Sequence, residues 1–332
     1  MTVKQVDLLN IGLILISAIL AYQFPLELFI LAFAILGPLH YLTEINWLDT
    51  KNYFVRGPRY TWLIIGLSAS LILIVPKIYF TFAGSDPSTL TDVFLFINKW
   101  SNSVIFLTIL LSIGFLYIRK MIGWIVLVTI GIIGAILLNS VETYTTIVGL
   151  LIPTIIHVYL FTLIFMLYGA AKSKSKYGYA AVIFALLIPV IFIYMKINPE
   201  QYAFSDLMKS TYLENNFHLT PALFAKFIGI SDGKSFYFME TMELRLMMFM
   251  SFIYTYHYLN WFSKTTTIAW HKKLTLTRSI VIGVLWIGML SLFYYDFKTG
   301  FLVALFFSFL HVILEFPLNM VSIRGIISRE KN

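Results

Sequence analysis

The sequence contains no cysteine and few charged residues, which make up only 12% of its 332 positions. Without cysteine, the chain has no disulfides, no thiolate metal sites, no cysteine-ligated iron–sulfur cluster and no thiol nucleophile. Soluble domains carry about 25% charged residues, and half that share leaves too little polar surface to coat a protein of 38.2 kDa in water. The composition therefore excludes an ordinary soluble enzyme, and also a disordered or fibrous chain.

Several common motifs are also missing. The sequence has no P-loop, no G-x-G-x-x-G, no H-E-x-x-H and no G-x-S-x-G, which excludes nucleotide engines, zincins and serine-elbow hydrolases. It has no H-x-x-x-H boxes of the kind found in membrane desaturases, and no lysine in mid-span to carry a retinal Schiff base. The net charge of +8 comes without a basic run interleaved with exposed aromatics, so we expect no nucleic-acid partner.

Long apolar segments take the place of charge, since 59% of the residues are hydrophobic and the mean hydropathy is +0.85. A helix needs about 20 apolar residues to cross the hydrocarbon core. We therefore predict an all-α polytopic integral membrane helical bundle, with residues 1–332 forming a single membrane domain. About ten transmembrane helices are expected, at 7–23, 25–47, 60–82, 98–118, 121–139, 143–170, 179–197, 238–262, 278–296 and 299–322.

The charge distribution predicts the orientation of this bundle. Ten spans place both termini on one side, and the segments on that side carry 16 of the 24 basic residues but five of the 16 acidic ones. Basic loops stay in the cytoplasm, so we predict that both termini lie inside, in a bacterial inner membrane. The polar stretch 198–237 is then an extracytoplasmic loop, in which Thr220-Pro221 and Gly229 predict a short interfacial helix.

The six histidines divide into two groups. His218 and His271 lie outside the predicted spans and are expected to be solvated. The other four each lie in a different span: His40, His157, His257 and His311. Ionisable side chains are costly inside a bilayer and are candidates for function, so we predict that these four bind a shared metal ion.

Two of the four histidines are followed by a glutamate at i+4, because residues 39–44 and 310–315 both read L-H-x-x-x-E. This spacing places the imidazole and the carboxylate on one helical face. Imidazole and carboxylate both bind iron, zinc, copper or manganese, and a carboxylate can instead orient a metal-bound histidine. We therefore predict catalytic or coordinating roles for Glu44 and Glu315.

Polar and aromatic residues crowd His257 within its own span. Asn260 lies at i+3, on the same face, and Tyr254 and Tyr258 lie one turn before it and directly after it. We predict that these three residues surround the metal ligands and orient His257. The many aromatic residues would also line a pocket for a long apolar ligand.

A cysteine-free polytopic chain with His40, His157, His257 and His311 on separate helices resembles the Brp/Blh family of bacterial membrane carotene dioxygenases. The resemblance covers the general architecture and these four residues. It implies histidine-held Fe(II) and an O₂-dependent cleavage of β-carotene at its central double bond to give retinal. On this basis we expect an iron-dependent membrane oxygenase whose substrate is a carotenoid or another apolar lipid.

Three other functions fit the same residues. The chain is a proton-coupled transporter or channel if Glu44 and Glu315 titrate and the histidines relay protons. It is a haem protein if two of the histidines are axial ligands. It is a structural subunit if the intramembrane polar residues join a partner protein.

Overall fold

The computed structural model describes residues 1–58, 60–233 and 236–328, and within them the chain is helical and contains no strand. Eight helices are long and apolar enough to cross a membrane, or nine if one bent pair forms a single span. This confirms the predicted all-α polytopic bundle. Five charged residues that entered the predicted topology lie outside the described residues: Arg59, Lys234, Arg329, Glu330 and Lys331.

Thirteen helices, labelled in chain order, account for most of the described residues. They are α1 (Val3–Gln23), α2 (Pro25–Thr50), α3 (Thr61–Phe82), α4 (Thr89–Lys99), α5 (Ser101–Tyr117), α6 (Met121–Leu138), α7 (Glu142–Ser173), α8 (Lys176–Tyr194), α9 (Asp206–Glu214), α10 (Leu219–Phe227), α11 (Thr241–Ser263), α12 (Leu276–Tyr295) and α13 (Phe297–Ile327). Each of the ten predicted spans coincides with one of these helices.

The bundle is organised around α11, which packs against α1 and α2. Most of its residues are buried, and Glu243 and the tyrosines at 254, 256 and 258 are among them. Since α11 faces protein rather than lipid, it need not be strongly apolar, and it is not among the eight helices that pass as spans on length and apolarity. By contrast, α6 and α12 lie at the periphery, where only 11% of their most apolar windows is buried.

The extramembrane segments are more helical than predicted. Residues 83–97, between two of the predicted spans, contain most of α4, which is bent by 43° from α5 across Trp100. Residues 198–237 contain two helices, α9 and α10. The helix predicted from Thr220-Pro221 is present, but its N-cap is His218 instead of Thr220. His218 is half-buried, with its ring 5.9 Å from that of Phe236, and this burial lowers its pKa.

Two of the histidine-bearing helices contain π-helical segments. In α2 the segment Ala32–Leu36 ends four residues before His40, and in α7 the segment Thr145–Phe161 contains both Pro153 and His157. Proline has no backbone N–H and cannot continue the regular hydrogen-bond ladder. Wider π turns of this kind are rare and occur often at functional sites. Here they set the rotation at which two of the histidines face the bundle centre.

Candidate metal centre

The four intramembrane histidines converge at the centre of the bundle. They come from α2, α7, α11 and α13, and each is at least 93% buried. One ligand nitrogen from each ring can be chosen so that all four nitrogens lie within 4.8 Å of one another. Residues that are between 54 and 271 positions apart in sequence are thus brought to one point by four separate helices.

The imidazole rings form a four-sided arrangement. Neighbouring ring centroids lie 4.6 Å apart for His40 and His257, 5.1 Å for His257 and His157, 4.9 Å for His157 and His311, and 5.3 Å for His311 and His40. The Nε2 atoms of His40 and His257 are 3.0 Å apart, and those of His157 and His311 are 3.1 Å apart. Two nitrogens at ~2.1 Å from one metal and at right angles to each other are ~3.0 Å apart, so both pairs fit adjacent coordination positions.

A hydroxyl from α7 fixes the protonation of His257. The Oγ1 atom of Thr162 lies 2.8 Å from the Val158 carbonyl oxygen, to which it donates its only proton, and 2.7 Å from Nδ1 of His257. The hydroxyl can therefore only accept from His257, whose Nδ1 carries the proton. This leaves an unprotonated Nε2 directed at the cluster, as metal binding requires.

Two further histidines have an acceptor beside their outer nitrogen. His311 donates from Nδ1 to the Phe307 carbonyl oxygen, 3.2 Å away. Nδ1 of His157 lies 3.0 Å from Oε2 of Glu315, although the carboxylate is off the hydrogen-bond axis. Acceptors in these positions favour protonation at Nδ1 and leave Nε2 free. The two free Nε2 atoms then face each other at 3.1 Å.

These protonation states fit a metal ion. Two unprotonated nitrogens at this distance repel each other unless a proton or a metal ion lies between them. An acceptor behind each of three inward-facing imidazoles is also the usual surrounding of metal-bound histidine. The four histidines can therefore hold a metal ion inside the apolar bundle.

The two glutamates occupy different positions relative to the imidazoles. Oε2 of Glu44 lies 3.1 Å from Nε2 of His40, on the inner side of that ring. Glu315, by contrast, lies behind His157. Both carboxylates are about 3% exposed and both line one cavity beside the cluster. Glu44 can therefore complete the coordination or accept a proton from a bound molecule, whereas Glu315 is placed to position His157.

The three polar and aromatic residues predicted around His257 have different surroundings. Tyr258 packs between His40 and His257, at 5.3 and 5.4 Å between ring centroids. Tyr254 belongs instead to an aromatic cluster with Phe29. Among the described residues, the buried side-chain oxygen of Asn260 has no hydrogen-bond partner, and Thr162 forms the hydrogen bond to His257.

Tyr41 and Thr162 are site residues that the sequence analysis did not single out. The Tyr41 ring stacks on His311 at 4.3 Å, and its hydroxyl lies 2.9 Å from that of Tyr258. A tyrosine next to a histidine, or a lone threonine in an apolar span, is common in membrane helices. Neither pattern points to a contact with a histidine on another helix.

Two cavities of similar size flank the cluster. The first, here called the N-side cavity, has a volume of about 470 Å³ and is lined by His40, His257, Glu44 and Glu315, and by residues at the start of α1 and the ends of α7 and α11. The second, here called the distal cavity, has a volume of about 450 Å³ and draws on the opposite ends of α2, α3 and α13. The two cavities draw on opposite helix ends because successive membrane spans run in opposite directions.

The fold and the site together define a polytopic helical membrane protein with a buried four-histidine cluster that can bind a metal ion. Comparison with known proteins found no matching family model, no matching curated protein and no matching solved structure. The reaction must therefore be argued from the site itself.

Proposed function

We propose that this protein is an integral membrane metalloenzyme, an iron-dependent oxygenase that acts on a carotenoid or another apolar lipid. The observation that carries the proposal is the convergence of four buried imidazoles, of which three have an acceptor behind the outer nitrogen. Burying so many polar rings without a partner is costly in a bilayer. A metal ion gives all four lone pairs a common partner.

The donor set favours iron. Neutral imidazoles with a nearby carboxylate suit iron, zinc, copper or manganese, and the absence of cysteine leaves no thiolate to favour a softer ion. The distances of 3.0 and 3.1 Å between the paired Nε2 atoms suit an octahedral ion, whose adjacent ligands are at right angles. In a tetrahedral site with the same bond length, two ligand nitrogens are ~3.4 Å apart. Haem fits the site poorly. A porphyrin has to lie between its two axial histidines, and here the other two imidazole rings occupy that plane.

The protein groups around the metal have separable tasks. Iron, when bound, supplies the binding and activation of O₂. Thr162, the Phe307 carbonyl and Glu315 hold the imidazoles in orientation, and Glu44 is placed to hold or accept a proton beside His40. The apolar walls of the N-side cavity exclude water and accept a hydrocarbon chain. The resemblance to the membrane carotene dioxygenases supports iron held by the four histidines and does not extend to Glu44 or Glu315.

Metal analysis of the purified protein tests the proposal. We expect about one iron per chain after purification without chelators, and an Fe(II)–nitrosyl electron paramagnetic resonance signal when nitric oxide is added. The lipid extract of cells that express the protein, compared with cells that express His311→Ala, should contain an oxygenated product of a carotenoid or of another apolar lipid. Protein with less than ~0.1 metal per chain would refute the metalloenzyme.

Proton-coupled transport is a second candidate, and the two cavities on opposite sides of the cluster favour it. The distal cavity reaches Thr154 and Ser308, each three residues before one of the histidines, while the N-side cavity reaches Glu44 and Glu315. Transporters open a site near the bilayer midplane to one side at a time, and here the N-side cavity reaches the cluster while the distal cavity ends beside it. This function predicts a pH-driven flux in proteoliposomes without bound metal, and the flux should be absent from the Glu44→Gln variant.

A further inference from the structure

Only one of the two cavities opens onto the metal-binding face of the cluster. Within the described residues, the lining of the N-side cavity includes two of the four histidines and both Glu44 and Glu315. The lining of the distal cavity includes none of the four histidines and neither of these two glutamates. The far end of the N-side cavity is formed by exposed residues such as Val3 and Lys172. A ligand that contacts the metal must therefore approach from the side of the membrane that carries the N-terminus.

From the lining of this cavity we infer that its ligand is a single-chain lipid with a terminal carboxylate, a fatty acid, with its chain directed toward the histidines and its carboxylate at Lys264 and Lys172. This inference rests on the proposed function, for which it selects one substrate class among the apolar lipids. It also fixes the direction from which the chain is inserted.

The charges at the mouth of the cavity favour an anion. Lys264 follows the end of α11, is half-buried, and has no ion pair within 4 Å among the described residues. Asp7 also lines the cavity and accepts a hydrogen bond from the Ser175 hydroxyl. Burial lowers the pKa of Lys264 to about 8, and the Asp7 carboxylate offsets only part of this effect. A carboxylate placed there gains a charge-assisted hydrogen bond.

The interior of the cavity suits one hydrocarbon chain. Between the mouth and the histidines its walls include Val6, Phe165, Met166 and Leu318. The cavity volume of about 470 Å³ lies within the range of pockets that bind small-molecule ligands, and it suits a fatty acid of medium length. The unpaired side-chain oxygen of Asn260 also lines the cavity and can accept a hydrogen bond from a hydroxyl that is introduced along the chain.

Binding of myristate to the full-length protein in zwitterionic nanodiscs tests the inference. We expect saturable binding by calorimetry, with myristyl alcohol binding at least tenfold more weakly because it lacks the charge. Lys264→Met, which keeps the length of the side chain, should weaken myristate binding by about 10- to 100-fold. The matched control is Lys298→Met, a lysine of the distal cavity, which should leave the affinity unchanged.

Other outcomes would overturn the inference. Equal weakening by both variants, tighter binding of β-carotene than of myristate, or displacement of myristate by an anionic two-chain lipid would each exclude a fatty-acid site at this position. The same titration on protein stripped of metal separates the two proposals. Myristate binding to a protein that never holds metal would refute the oxygenase alone, while a metal-loaded protein that does not bind myristate would refute the fatty-acid site alone.

Discussion

The hydroxyl of Thr162 provides a direct test of the metal centre, because it touches no metal and yet fixes the protonation of a metal ligand. Replacing it with valine keeps the shape of the side chain and removes two hydrogen bonds, to His257 at 2.7 Å and to the Val158 carbonyl at 2.8 Å. With no acceptor behind it, the imidazole is free to carry its proton on Nε2 or to rotate. Loss of such a partner lowers metal affinity by about 10- to 100-fold.

This range corresponds to about 1.4–2.7 kcal/mol of metal-binding free energy. Competition between the protein and a chelator of known affinity, with Fe(II) under anaerobic conditions, measures it. Thr162→Ser should retain wild-type affinity, since it keeps the hydroxyl. Thr108→Val is the second control, because Thr108 is equally buried and donates to its own helix at the Ile105 carbonyl, 2.7 Å away. Unchanged affinity in Thr162→Val, or an equal loss in Thr108→Val, would refute the assigned role.

Three other predictions follow from the geometry. His311→Ala should reduce bound metal to about a tenth or less, whereas His271→Ala, which alters an exposed histidine, should not change the metal content measured by mass spectrometry. Glu315→Gln should keep metal at stoichiometric concentration but weaken its affinity about 10- to 100-fold in chelator competition, and an unchanged affinity would exclude the positioning role. Gly300→Ala should lower the Tm, because its Cβ would lie 2.6 Å from a backbone nitrogen of α12, while Gly288→Ala, which meets no atom within 4 Å, should not.

The predicted spans illustrate how much of the fold follows from local sequence. Runs of about 20 apolar residues have to be helical in a bilayer, because every backbone group must find its partner within the segment. The ten predicted segments are therefore all helices in the structure. Two further helices lie outside the predicted spans: α4, which is short and amphipathic, and α9, which is short and polar. The helix α11 is less apolar than the other spans because its neighbours shield it from lipid.

The sequence alone determined the class of protein, an all-α membrane bundle without thiol chemistry, and it selected the four histidines, since ionisable residues in apolar spans are rare. It also paired His40 with Glu44, because residues four apart share a helical face. The tertiary structure decided what sequence spacing cannot encode: that four helices bring the imidazoles together, that Thr162 rather than Asn260 holds His257, and that Glu315 faces His157 instead of its own i−4 neighbour, His311. These contacts depend on how the helices are rotated and packed, which is set by long-range interactions between segments up to 271 residues apart.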